Sequence, residues 1–127
     1  MVIVSSPLLI TYAEELAEIH REEGLTVEVT TPMLVYNEFS SGNPDVTAIK
    51  MLMKHLYDDA GGDEGLMPRY LCIFGDGSYR GNKGVNAINS YNVITYHNFN
   101  HWSPTASYVS DDYFAFLDDD ELSLIHI

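Results

Sequence analysis

Apolar and polar positions along the chain switch between a period of two and a period near 3.6, and the switches predict strands and helices in turn. Val2 to Ser5 reads as a short buried strand, apolar and β-branched, closed by Pro7, which cannot donate to a sheet ladder. From about Leu9 to Glu23 the residues Leu9, Ala13, Leu16, Ala17 and Ile19 or His20 recur at helical spacing, and Gly24 stands where a C-terminal cap belongs. Leu25, Val27 and Val29 then alternate with Thr26, Glu28 and Thr30, the pattern of a strand with one wetter face, as at a sheet edge.

Thr31-Pro32 leads into one or two helical turns over Met33 to Phe39, broken by Ser40-Ser41-Gly42. Asn43 is placed to cap the next helix, with Pro44 at its first position, where a missing N–H costs nothing. That helix is expected to run to about Asp59. Val46, Ile49, Met53 and Leu56 form its apolar stripe, flanked by Met51, Leu52 and Tyr57, with Lys50 and Lys54 facing water. After the surface loop Gly61 to Gly65 and Pro68, five apolar residues from Tyr70 to Phe74 predict the central strand, covered on both faces. A Gly- and Asn-rich loop over 79–92 precedes a fourth short strand at Val93 to Tyr96. A loop over 98–107 is anchored by Phe99 and Trp102, and Phe114 to Leu117 is expected as a last strand entering an acidic turn.

Strands joined by single helices imply right-handed crossovers, and so an α/β fold: a mostly parallel sheet with helices on both faces. The 127 residues, 46% of them apolar, suffice for one such domain and leave no room for a second. A formal charge of -13, from 19 acids against 6 bases with no basic patch, repels phosphate backbones and excludes a nucleic-acid partner. The chain has no apolar run of the roughly 18 residues a membrane span needs, and Met1 to Val4 lacks the basic flank of a signal peptide. Cys72, the single cysteine, has no internal partner for a disulfide.

Candidate chemistry gathers at acids near strand ends. Gly75-Asp76-Gly77 follows a buried parallel strand directly, at the sheet edge where ligands bind in open α/β folds. Asp76 is a candidate substrate-binding residue, or else it bonds backbone amides two residues on and organises its own turn. Asp111 and Asp112 in Ser110-Asp-Asp-Tyr113 are the other substrate-binding candidates. On an extended chain adjacent carboxylates point to opposite sides, so one is expected inward and one outward. No catalytic residue and no metal ligand is assigned. Cys72 sits mid-strand among apolar neighbours, where burial raises a thiol pKa, so core packing rather than nucleophilic attack is its expected role. His97 and His101 lie in the loop after the fourth strand; His20 and His55 lie on helices without catalytic or metal spacing.

Three blocks carry a family resemblance: Tyr36-Asn-Glu-Phe-Ser-Ser-Gly42 running into Pro44-Asp45, Arg69-Tyr-Leu-Cys-Ile-Phe-Gly-Asp-Gly-Ser-Tyr79, and Ser110-Asp-Asp-Tyr-Phe114. Together they resemble the gingipain-type cysteine peptidases, family C25. The pairing of Asn37 to Gly42 with Gly75 to Tyr79 looks most like the members that serve as type IX secretion sortases. The resemblance covers Met1 to about Glu121. It implies the first subdomain of a caspase/gingipain-like fold, C-terminally truncated, in a parent that cleaves C-terminal secretion signals from cargo proteins at the outer-membrane cell surface. The catalytic His and Cys would belong to a caspase-like subdomain further along, so residues 1–121 are expected to be inactive alone. Implied partners are protein substrates, the chain's own caspase-like subdomain and type IX secretion components. By the same resemblance Asp111 is a candidate for shaping the substrate cleft or for a structural calcium site; no other cofactor is expected.

Leu122-Ser-Leu-Ile-His-Ile127 matches the reading-frame translation of a transposon mosaic end used in sequencing libraries, the alternative being a native strand. Residues 122–127 are therefore expected to be an adapter-derived tail behind a 1–121 subdomain, and His126 receives no role. The competing class is a non-catalytic flavodoxin-like or receiver-like binding domain. A receiver needs paired acids after its first strand and a late Lys, where this chain has Ser5-Ser6-Pro7 and no such Lys. A phosphate site needs a Gly-rich turn running into a helix, which residues 77–92 do not show.

Overall fold

The computed structural model describes residues 1–78, 92–94, 96 and 111–117. Its elements are β1 (Val2–Ser5), a 3-10 turn (Pro7–Leu9), α1 (Ile10–Glu22), β2 (Glu28–Thr30), α2 (Pro32–Phe39), α3 (Val46–Asp59), β3 (Leu71–Phe74), β4 (Asp76–Ser78), β5 (Asn92–Ile94) and a second 3-10 turn (Asp112–Ala115). The main sheet has the order β2-β1-β3, with both pairings parallel.

Side chains alternate across β1, and this builds two cores. Ile3 meets Ala13 and Ala17 of α1 together with Val27, while Val2 and Val4 meet Val35 and Tyr36 of α2 and Ala48, Ile49 and Met53 of α3. Helices thus cover both faces. Ile3, Val4 and Ile49 are each fully buried, and burying a side chain of that size contributes roughly 1.5–3 kcal/mol.

Local chemistry explains most boundaries. At the end of α1, Gly24 at φ 93° adopts a left-handed conformation open to glycine, and its N–H and that of Leu25 close onto the carbonyls of Arg21 and His20. Arg21, paired with Glu14 and Glu18, reaches the Val27 carbonyl and ties α1 to the chain entering β2. α2 begins with Pro32 in its first turn and ends where the amides of Ser40 and Gly42 both reach the Tyr36 carbonyl. Gly42 holds φ 80° with Asn37 Oδ1 3.2 Å from where a Cβ would stand.

The structure differs from the pattern-based expectation at six places. The cap of α3 is Asp45, not Asn43: Asp45 is extended and its Oδ1 accepts from the Thr47 amide at 2.8 Å, leaving Pro44 outside the helix. Ile19 lies on the open side of α1, 55% exposed. Among the described strands β1, not β3, is central, and Tyr70 precedes β3 as an exposed residue. Asp76–Ser78 is a strand rather than a turn, and β5 pairs parallel with it in a separate two-stranded sheet. Phe114 to Leu117 forms no strand; Asp112–Ala115 is a 3-10 turn whose Phe114 plugs the core of α2 and α3. Finally, Lys50 and Lys54 do not simply face water: Lys50 Nζ sits 4.7 Å from the Tyr113 ring centroid, and Lys54 Nζ donates to the Leu117 carbonyl at 3.2 Å. The loop over 98–107, with Phe99 and Trp102, and residues 79–91 and 118–127 lie outside the described residues.

Candidate functional site

From β1 the chain turns through α1 to β2 on one side, and β3 lies on the other, so the carboxyl ends of β1 and β3 flank a topological switch point. Open α/β sheets bind ligands at such crevices. Ser5 aligns with Phe74 across this point, and the Ser6 amide donates to the Phe74 carbonyl at 2.9 Å. Ser5 and Ser6 are fully buried polar residues at this edge, and Ser5 Oγ donates to the Ser6 carbonyl at 3.0 Å. The Ser5 hydroxyl thus bonds the strand end itself.

Asp76 stands two residues beyond β3 on this edge, exposed to solvent and starting β4. Gly75 before it has φ 155°. Pairing of Asp76 with Asn92 through the β4–β5 ladder prolongs the edge away from the main sheet. A carboxylate so placed is available to a ligand approaching the strand ends.

Asp111 and Asp112 are both exposed, which replaces the expected inward and outward pair. The extended geometry assumed for them is absent, because Asp111 is the cap residue of the 3-10 turn and accepts from the Phe114 amide at 3.1 Å through its carbonyl. Tyr113 holds this turn in place. Its hydroxyl lies 3.2 Å from Thr47 Oγ1, its ring stacks on Tyr96 at 4.1 Å between centroids, and Lys50 of α3 caps it.

Asp111, unlike Asp76 and Asp112, lines a groove of about 360 Å³ between β3 and the turn. Its floor is Met53, Leu71, Ile73, Phe114 and Leu117, with Arg69 at the rim. That groove takes in one of the three candidate acids, Asp111. Periodicity does not reveal the groove, because it is assembled from separate elements and the pattern around Phe114 predicts a strand.

Cys72 points to the α1 side, packed against the core around Ile3, and burial pushes its thiol pKa up. That is the opposite of an activated thiolate. His20 pairs with Glu23 at 2.8 Å and His55 with Asp59 at 3.3 Å, both on helix surfaces. Among the described residues no three or more His, Cys, Asp or Glu side chains cluster so as to hold a metal ion, and no helix is long and apolar enough to cross a membrane. His97 and His101 lie outside the described residues.

Comparison with known proteins decides the family. The model of peptidase family C25 matches residues 1–127. The chain belongs to this family. A C25-like fold is also seen in a solved structure: dimeric latent PorU from Porphyromonas gingivalis matches with a TM-score of 0.74 and 32% sequence identity over 96% of this chain. The chain spans 12% of the length of that PorU chain. No curated protein matches it. The three-stranded parallel sheet with its helices is the α/β architecture shared with PorU.

Proposed function

We propose that this chain is the first α/β subdomain of a C25 cysteine endopeptidase of the PorU type, and that its parent removes C-terminal secretion signals from cargo proteins at the cell surface. The observation that carries this reading is the likeness to PorU over 96% of the chain, at an identity above that of mere fold similarity. The site geometry supports it. The single thiol, Cys72, is half-buried in a strand with its pKa raised, so the nucleophile and its activating His come from outside the described residues. The subdomain contributes substrate contacts from the edge that carries Asp76 and from the turn that carries Asp111 and Asp112. Its partners are the cargo polypeptide, the catalytic subdomain of the same protein and type IX secretion components, in a secreted, outer-membrane setting. Any calcium ion would require oxygen ligands in addition to Asp111 and Asp112, since such shells take six to eight.

The test is cleavage of a cargo protein bearing its C-terminal signal by the intact parent, comparing wild type with Asp76→Ala and Asp111→Ala. A rise in KM with little change in kcat is expected of residues that only hold substrate. Unchanged kinetics in both variants would remove these acids from the substrate site.

A further inference from the structure

α1 carries its side chains in an inverted order of size. The residues it buries fully against the sheet are small, Ala13 and Ala17, with Leu16 at the margin of that core. Its large apolar residues Tyr12 and Ile19 stand on the opposite face together with Leu8 of the preceding 3-10 turn, each at least half exposed. Tyr12, Glu15, Ile19 and Glu22 follow one another at intervals of three and four residues, with Leu8 four residues ahead of Tyr12, and so form a single row. Isolated exposed apolar residues are ordinary on a surface, whereas a row at this spacing is what a helix presents to a neighbour. The charges divide in the same way. Arg21 takes Glu14 and Glu18, and His20 takes Glu23. Glu15 and Glu22, the two acids in the row, have no ion-pair partner among the described residues.

We infer that α1 is an inner layer of the parent protein, and that its outer row seats a basic, apolar-faced segment of the same polypeptide from outside residues 1–127. The row selects the chemistry of this occupant. Apolar side chains pack on Leu8, Tyr12 and Ile19, and Lys or Arg must stand opposite Glu15 and Glu22, since a carboxylate covered without a partner is costly. The size of the row selects the source. A row roughly 16 Å long and about 10 Å wide covers on the order of 200 Å², a fraction of the ~800 Å² per partner of a stable free-standing complex. So small a face holds its occupant when a covalent tether keeps the local concentration high. A parent of PorU's length supplies such a tether, for this chain spans 12% of that one. A second copy would set Glu15 and Glu22 against the same unpaired acids.

The inference rests on the proposed reading that the chain belongs to a longer C25 polypeptide, but its readout is independent of peptidase activity, so the two can fail separately. In the intact parent, a photo-crosslinking benzoylphenylalanine replaces the exposed Tyr12, and the crosslinked peptide is identified by mass spectrometry with and without the pair Glu15→Lys and Glu22→Lys. The expected result is a crosslink within one polypeptide, independent of protein concentration, to a peptide outside residues 1–127 that carries Lys or Arg beside apolar residues. Its yield should be at least about fivefold lower in the doubly substituted protein, where like charges meet. A crosslink to other residues of 1–127, to a second copy or to another protein would overturn the inference. So would the absence of any crosslink, or a yield that the two substitutions leave unchanged.

Discussion

Tyr113 lies flat on Tyr96, with ring centroids 4.1 Å apart and planes 3° from parallel. The same ring takes Lys50 on its face and bonds Thr47 through its hydroxyl, so one side chain joins α3, the chain beyond β5 and the acidic turn. Tyr113→Ala should lower stability by about 2 kcal/mol, and Tyr113→Phe, which loses only an exposed hydroxyl contact, by less than about 1 kcal/mol. Urea midpoints at constant slope measure both. Equal losses would place the energy in the hydroxyl rather than in the stack.

Asp45→Ala should cost about 1 kcal/mol through loss of the bond to the Thr47 amide. Asn43→Ala should be nearly neutral, because the Asn43 side chain does not cap α3. Thermal melts of the two variants distinguish them, and the reverse order would restore the cap to Asn43.

Tyr36 is buried under α3, and desolvation, with the Asp45 carboxylate adding to it, pushes its pKa up to about 12. The folded state therefore holds the phenol proton that the unfolded chain releases near pH 10. Stability from this group is complete below about pH 10 and is lost as pH rises toward 12, an effect of order 2 kcal/mol. Urea midpoints between pH 9 and 12 should fall less steeply in Tyr36→Phe than in wild type. Parallel slopes would show that Tyr36 titrates normally.

Burial raises the Cys72 pKa, so the thiol should react with iodoacetamide at pH 8 at least roughly tenfold more slowly in the folded protein than in urea. Equal rates would mean that the α1 face opens readily.

The parts of this fold that are legible in sequence are those fixed by neighbours along the chain. Val2 to Ser5, the α1 stripe at Ala13 and Ala17, and Gly24 after the helix are local patterns, and all three recur in the structure. Strand order is not local: Tyr70 to Phe74 is the longer apolar run, yet among the described strands β1 holds the centre, because the first crossover sets β2 on one side of it and the second sets β3 on the other. In Asn43-Pro44-Asp45 two good cap residues compete, and nothing in the sequence pattern chooses between them. Phe114 read as a strand residue because its neighbours are apolar. In the structure its ring fills a gap between α3 and β3, and the turn follows from that packing. Of the candidate site, the position of Asp76 at the strand edge was readable. The exposure of both Asp111 and Asp112 was not, since it depends on how Tyr113 anchors the turn.

The most direct measurement is cleavage of a signal-bearing cargo protein by the intact parent carrying Cys72→Ala, before and after treatment with a thiol alkylator. The account predicts cleavage at the wild-type rate before alkylation and none after it, because the nucleophile is a cysteine outside this subdomain. Loss of cleavage in Cys72→Ala with the fold intact, or cleavage that survives alkylation, would contradict it.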